Sequence, residues 1–168
     1  MLALLSVFAW IEQTPLSVFI REDFYAYFVL LIFHAWGMAF LVGGGLAISL
    51  RVLGVASGAA LERFRGFFPA MWLGAALAIP SGIGLLLGYP AKALTNWVFA
   101  LKFLCLASAA TLVRDAMRVA VPVAVPGRPA PGRARAMAAG AIAMWFAGVT
   151  CGKLLLYTNH ILLVSDLH

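Results

Sequence analysis

Three residues that can carry a positive charge stand inside long apolar stretches of the chain: His34, Lys102 and Lys153. If these stretches cross a membrane, each charge costs about 2.5–3.5 kcal/mol on insertion scales, so such residues usually face a protein interior or a cavity. No Asp or Glu occurs in the same stretches. The two lysines must therefore extend to the membrane surface, lose their protons, or meet an anion supplied from elsewhere.

His34 admits three interpretations, and the sequence leaves all three open. Polar side chains in membrane helices commonly hydrogen-bond to a neighbouring helix. A neutral imidazole also ligates metals, so His34 is a candidate ligand of haem iron or, with Met38 one turn further on, of Cu(I). Third, it is a candidate for lining a quinone pocket. A bis-histidine haem is disfavoured, because His160 would lie roughly 9–15 Å nearer the membrane surface by helix rise.

The composition places these residues in a membrane protein. Of 168 residues, 64% are hydrophobic and 11% are charged, whereas soluble domains carry about 25% charged residues. The net charge of +6 does not indicate nucleic acid, because the basic residues are not gathered on one helix face among aromatics. Cys105 and Cys151 lie in apolar segments without a C-x-x-C motif, which predicts buried thiols.

Four apolar runs are long enough to span a bilayer, which takes about 20 helical residues. They cover about residues 24–50, 67–87, 94–113 and 137–160. Backbone groups in lipid must be paired internally, so we expect an all-α membrane fold: a four-transmembrane-helix bundle forming a single integral membrane domain over residues 1–168. The proline-rich residues 119–136 are expected to form a mobile cytoplasmic loop.

Residues 1–20 are too short an apolar segment to span, and they lack the basic start of a signal peptide. Apolar residues recur at helical spacing, and Thr14-Pro15 is a typical start of a second short helix. We expect an amphipathic helical segment lying in the membrane interface.

The distribution of basic residues predicts the orientation. The loops after the first and third spans hold eight arginines: Arg51, Arg63, Arg65, Arg114, Arg118, Arg128, Arg133 and Arg135. The other side holds Arg21 and Lys92. The positive-inside rule therefore predicts a multi-pass protein of the bacterial inner (cytoplasmic) membrane with both termini periplasmic.

Small residues predict close packing between the helices. An i+4 stripe runs through Ala35, Ala39, Gly43 and Ala47 in the first span. G-x-x-x-G pairs occur at 84–88 in the second span and at 148–152 in the fourth.

Depth estimates bring the three charged residues to one level. At about 1.5 Å per residue, His34 lies ~15 Å, Lys102 ~12 Å and Lys153 roughly 6–16 Å from the periplasmic edge. We therefore expect them to face the bundle interior together, in a candidate cofactor site with His34 also the candidate metal ligand.

Several motifs resemble an uncharacterised domain-of-unknown-function family of small four-span bacterial membrane proteins. They are His34-x-x-Gly37, the segment 51–54, Phe68-Pro69 with Trp72 and Gly74, Leu101-Lys102, Trp145, and Gly152-Lys153 with Tyr157. The resemblance covers nearly the whole chain, supports the four-span fold and draws attention to His34, Lys102 and Lys153. In that family the residue after the last glycine is usually Arg, which binds anions in a bidentate manner that Lys153 does not reproduce.

A fainter likeness, to the membrane domains of copper-resistance-D-type proteins, rests on a histidine in an early helix. Neither resemblance implies an established activity.

Two functions follow as expectations. The first is a membrane subunit of a redox-linked system, holding haem b or quinone with His34, Lys102, Lys153 and Tyr157. The second is a non-catalytic accessory or anchoring subunit, whose cations pair with carboxylates of another membrane protein subunit. In both, the lipid bilayer is a partner and nucleic acid is not.

Overall fold

The computed structural model describes residues 2–125, 127–155, 157, 158 and 164. In these residues there is no strand, and seven α-helices follow one another: α1 (Leu2–Glu12), α2 (Pro15–Glu22), α3 (Phe24–Leu53), α4 (Phe67–Gly88), α5 (Pro90–Leu94), α6 (Trp97–Ala120) and α7 (Gly132–Leu154). Short 3-10 helices cover Leu61–Gly66 and Val121–Val123. The predicted all-α fold is confirmed.

Four of the helices, α3, α4, α6 and α7, are long and apolar enough to cross a membrane. They correspond to the four predicted spans. Large apolar side chains on their outer surfaces are exposed, among them Trp72 and Leu104. In water such a surface would be unfavourable, so the helices contact the bilayer.

Helix α3 is the central element of the bundle. It packs most extensively against α4 on one side and also contacts α7 and α6, while α6 and α7 form a second closely packed pair. The core between them is formed largely by small side chains of α6 and α7 around the fully buried Trp145.

The N-terminal segment forms the expected short helices. Thr14 caps α2, its hydroxyl oxygen accepting from the Ser17 N–H at 3.3 Å, and Pro15 occupies the first turn. The Ser17 hydroxyl donates to the Leu87 carbonyl oxygen at 2.8 Å, which ties α2 to the end of α4. The Asp23 carboxylate then accepts from the Ala26 N–H at 2.7 Å and caps α3.

Close packing of α3 and α4 depends on glycines other than the predicted stripe. A Cβ at Gly37 would lie 2.5 Å from the Ala78 nitrogen, and a Cβ at Gly74 would lie 2.6 Å from the Gly37 oxygen. Ala35 and Ala39 are exposed, and Gly43 has nothing near it. The predicted stripe was wrong because lipid and protein are both apolar, so hydrophobicity does not distinguish the packed face from the outer one.

The pairs at 84–88 and 148–152 do lie at helix contacts. A Cβ at Gly84 would meet Leu30 at 2.9 Å, and one at Gly148 would meet Leu106 at 2.7 Å. Gly88 lies against Ile20 and Gly152 against Lys102.

The helices at the arginine-rich end are longer than the apolar runs. Helix α6 continues to Ala120, past the expected end near residue 113, and α7 begins at Gly132 instead of 137. The predicted loop over 119–136 is correspondingly shorter. Pro122 lies in the first turn of a 3-10 helix, where its missing N–H costs no hydrogen bond, and Pro131 directly precedes α7. The expected continuation of the fourth span to 160 lies largely outside the described residues.

Arg51 has a structural role that its place in the basic loop did not suggest. It is only 8% exposed. Its Nε and Nη2 donate to the Ala59 carbonyl oxygen at 2.9 and 2.6 Å, and Nη2 also donates to the Ser57 carbonyl oxygen at 3.2 Å. One guanidinium thereby holds the turn that follows α3.

Candidate functional site

His34 contacts α4 through one side of its imidazole ring. Its Nδ1 lies 3.0 Å from the carbonyl oxygen of Ala78. A carbonyl oxygen can only accept a hydrogen bond, so Nδ1 carries a proton and donates it. In the neutral ring the lone pair is then on Nε2, and the histidine is fixed in the orientation that metal ligands and proton acceptors commonly adopt.

The α4 sequence around Pro80 makes room for this ring. A Cβ at Gly82 would lie 3.1 Å from His34 Cε1, so glycine permits the close approach. The Ser81 hydroxyl donates to the Leu77 carbonyl oxygen and lies 3.4 Å from His34 Nδ1. The imidazole thus faces a small, polar part of an otherwise apolar helix.

The other ring nitrogen, Nε2, has no hydrogen-bond partner among the described residues. Within that part of the chain, the buried side-chain nitrogen and oxygen atoms without a partner are Glu12 Oε1 and Trp145 Nε1. His34 Nε2 is not one of them, so it retains accessible surface. Of the two ring nitrogens, Nε2 is therefore the one available to a ligand.

Lys102 extends from α6 and lies over Gly152 of α7. A Cβ at Gly152 would lie 3.6 Å from Lys102 Cε and 3.7 Å from Nζ, so glycine provides the surface on which the lysine chain rests. The ammonium has no carboxylate partner in the described residues. Its charge acts electrostatically on His34. His34 and Lys102 therefore remain the two candidate residues, His34 on the face of α3 toward α4 and Lys102 on the face of α6 toward α7.

Lys153 and Tyr157 do not join this pair. Lys153 is exposed, and Tyr157 is 81% exposed. Successive helical residues are about 100° apart, so the residue after Gly152 is turned away from the face that contacts Lys102. The expectation that Lys153 points into the bundle is wrong, and the cofactor-binding role of the four residues stays a prediction.

The surroundings of His34 were not foreseen from the sequence. The Ala78 carbonyl and the Ser81 hydroxyl both contact the imidazole. In the sequence, Pro80-Ser81-Gly82 is a pattern typical of a helix kink, and it does not by itself indicate a contact with His34. The available signals of this contact in the sequence were a polar residue, Ser81, and a glycine, Gly82, in the second span at about the depth of His34.

The two side chains carry hydrogen-bonding groups that match those of a quinone headgroup. A quinone carbonyl accepts a hydrogen bond, which the Lys102 ammonium can donate, and a quinol hydroxyl donates one, which His34 Nε2 can accept. For haem the described residues offer one imidazole, while His160 lies outside them. No group of three or more His, Cys, Asp or Glu residues in the described part of the chain could hold a metal ion.

Comparison with protein-family models, curated proteins and solved structures finds no match for this chain. The resemblance to the uncharacterised four-span family therefore stays a prediction.

Proposed function

We propose that this protein is a membrane subunit of a redox-linked system in the bacterial inner membrane, and that His34 and Lys102 bind the headgroup of a quinone. The observation that carries the proposal is the hydrogen bond from His34 Nδ1 to the Ala78 carbonyl oxygen. It leaves an acceptor with accessible surface on Nε2, and Lys102 supplies an ammonium donor whose charge acts on the same ring.

The position of the pair suits a ligand that arrives through the bilayer. Both polar groups have accessible surface, and both belong to helices that are long enough to span. A quinone dissolves in the acyl region and needs no aqueous entrance. Haem would need space for a whole macrocycle and cations for its propionates, and Lys153 does not join His34 as one of these cations.

The chemistry expected of the two residues is complementary. Lys102 donates a hydrogen bond to a ring oxygen and stabilises negative charge on it, because an ammonium is a strong donor at low dielectric. His34 accepts the proton of a ring hydroxyl at Nε2, with Ala78 keeping the imidazole in place. A bound quinone supplies the electron-accepting carbonyl groups.

The test is the content of quinone plus quinol in protein that is purified in mild detergent under reducing conditions and extracted with organic solvent, because an acceptor at Nε2 pairs with a quinol hydroxyl and not with a quinone carbonyl. His34→Asn keeps an N–H that can donate to Ala78 and removes Nε2, so we expect the bound quinone plus quinol to fall up to about tenfold, on the scale of one lost hydrogen bond. Lys102→Met should have a similar effect. Lys153→Met is the matched control and should retain the wild-type content, since Lys153 faces outward.

An absorption spectrum of the same sample distinguishes the cofactors. A Soret band that shifts on dithionite reduction and is lost in His34→Asn would identify the cofactor as haem b instead of quinone. Wild-type quinone content in both His34→Asn and Lys102→Met would contradict the proposed site.

The accessory-subunit function remains a second candidate, favoured by the two lysines on membrane helices. Neither Lys102 nor Lys153 has a carboxylate partner in the described residues. A carboxylate on a helix of another subunit would lower the cost of keeping these cations in the membrane. Colourless protein without extractable quinone, copurifying stoichiometrically with a second membrane chain, would favour this function.

A further inference from the structure

A crevice opens at the arginine-rich end of the bundle, between the start of α4 and the last turns of α6. Its volume is about 210 Å³. The residues that line it are Arg65, Phe68, Arg114, Met117 and Arg118. The helices leave this space because α4 packs mainly on α3, and α6 mainly on α7.

The three arginines reach the crevice from two elements. Arg65 belongs to the 3-10 helix that leads into α4. Arg114 and Arg118 are four residues apart on α6, so they project from one face of that helix. Positive charge is therefore present on both walls of the crevice.

Little within the chain neutralises this charge. Arg65 pairs with Glu62 at 3.5 Å and Arg118 with Asp115 at 3.6 Å, but the side chains of both pairs are 50–68% exposed. Such exposed pairs contribute little and exchange readily for another anion. Arg114 has no ion-pair partner among the described residues.

The inner part of the crevice is apolar. Met117 is 3% exposed, and Phe68 packs against the same hydrophobic core. Cationic groups at the rim and apolar groups below them match the junction between a lipid headgroup and its acyl chains.

The type of basic residue at this end of the bundle also favours a phosphate ligand. All eight basic residues at this end are arginines, and lysines occur only elsewhere in the chain. Lysine and arginine serve the positive-inside rule equally. Arginine differs in offering a planar fork of donors that matches phosphate oxygens in a bidentate manner.

We propose that this crevice is a binding site for an anionic phospholipid. Arg114 and Arg118 donate to the phosphate oxygens, Arg65 adds charge from the opposite wall, and Phe68 and Met117 contact the beginning of the acyl chains. A soluble phosphate would bury no apolar surface against Phe68 and Met117, whereas a phospholipid would. The apolar part of the crevice therefore favours the lipid. This site is independent of the pair at His34.

The experiment measures lipid binding to the full-length protein in detergent by native mass spectrometry, with phosphatidylglycerol as the probe. Arg65→Gln should weaken the apparent affinity several-fold, and Arg114→Gln/Arg118→Gln should weaken it about tenfold or more. The reason is that one charge-assisted hydrogen bond contributes more free energy than a severalfold change in Kd represents. Arg63→Gln is the matched control in the same 3-10 helix. Arg133→Gln/Arg135→Gln is the control for the loss of two charges. Both controls should change the Kd less than about twofold, because these residues are exposed and do not line the crevice.

Equal weakening in the crevice variants and their controls would overturn the proposal, since it would indicate general surface charge. Wild-type protein that binds phosphatidylcholine as tightly as phosphatidylglycerol would also overturn it. Complete displacement of phosphatidylglycerol by inorganic phosphate at low millimolar concentration would also overturn the proposal, because it would identify the ligand as a soluble anion. If the double variant fails to fold, Arg65→Gln against Arg63→Gln decides alone.

Discussion

His34 shows how one backbone contact determines the chemistry that a side chain can perform. As long as Nδ1 donates to the Ala78 carbonyl oxygen, the neutral ring has its acceptor on Nε2. The charge of Lys102 acts electrostatically on this ring. The sequence identified both residues by the cost of placing them in lipid, but the tautomer depends on a carbonyl of another helix, which no spacing rule predicts.

Arg51 gives a prediction at the same scale. Arg51→Lys should lower the free energy of unfolding by about 1–3 kcal/mol, because an ammonium cannot reproduce the donation by Nε and Nη2 to Ala59 and Ser57. Denaturation in detergent measures the change. Arg63→Lys is the control, since Arg63 is exposed in the same connection, and its effect should stay within about 0.5 kcal/mol. Equal effects of the two substitutions would contradict the structural role of Arg51.

At the scale of helices, the contact between α3 and α4 depends on glycine at positions 37 and 74. Each backbone occupies the space that a Cβ of the other helix would need. This approach lets His34 reach Ala78, because a wider separation would lengthen their hydrogen bond. Packing of the two helices and the orientation of the imidazole are therefore coupled.

Gly37→Ala tests this coupling. The added methyl would lie 2.5 Å from the backbone nitrogen of Ala78, and backbone cannot rotate away as a side chain can. We expect a loss of about 1–3 kcal/mol in unfolding free energy, typical of overpacking. Quinone content should fall as well, because the same shift displaces His34.

Gly43→Ala is the matched control on the same helix. A Cβ at Gly43 meets nothing within 4 Å, so alanine should stabilise α3 by about 0.5–1 kcal/mol through its higher helix propensity. Thermal melts of both variants in detergent provide the comparison. A stable Gly37→Ala protein with normal quinone content would refute the importance of this contact.

The four long apolar helices and the helical N-terminal segment could be predicted from the sequence, but helix faces could not. Length and apolar content suffice to identify a span, and Thr14-Pro15 correctly marked the start of α2. Rotation about the helix axis is different, since lipid-facing and protein-facing residues are equally apolar. Trp145 and Trp36 both lie within predicted spans, yet the first is fully buried and the second is 59% exposed.

The same limit explains the outcome at the candidate site. Depth along a helix follows from counting residues, so His34 and Lys102 could be placed at one level. The direction in which a side chain points around the helix axis does not follow from counting residues. Lys153 faces outward although it is next to Gly152, the glycine on which Lys102 rests. The crevice at Arg65 and Arg114 was missed because its walls come from separate elements.

At the scale of the whole molecule, the charges divide the bundle into two unlike ends. The end formed by the start of α4 and the end of α6 carries eight arginines against Glu62 and Asp115. The opposite end carries Arg21 and Lys92 with several acids. The proposed lipid site and the proposed quinone site therefore lie at different levels, the first at the arginine-rich surface and the second within the spans.

The orientation of these ends in the membrane is the final prediction. The positive-inside rule places the arginine-rich end in the cytoplasm and both termini in the periplasm. Single cysteines at Ser57 and Ala130 should then resist an impermeant thiol reagent in intact cells and react after the membrane is opened. A cysteine at Thr95, in the connection between α5 and α6, should react in intact cells. Cys105 and Cys151 are buried and are best replaced by alanine to remove background. Labelling of Ser57→Cys and Ala130→Cys in intact cells, with Thr95→Cys protected, would reverse the orientation and move the proposed lipid site to the outer leaflet.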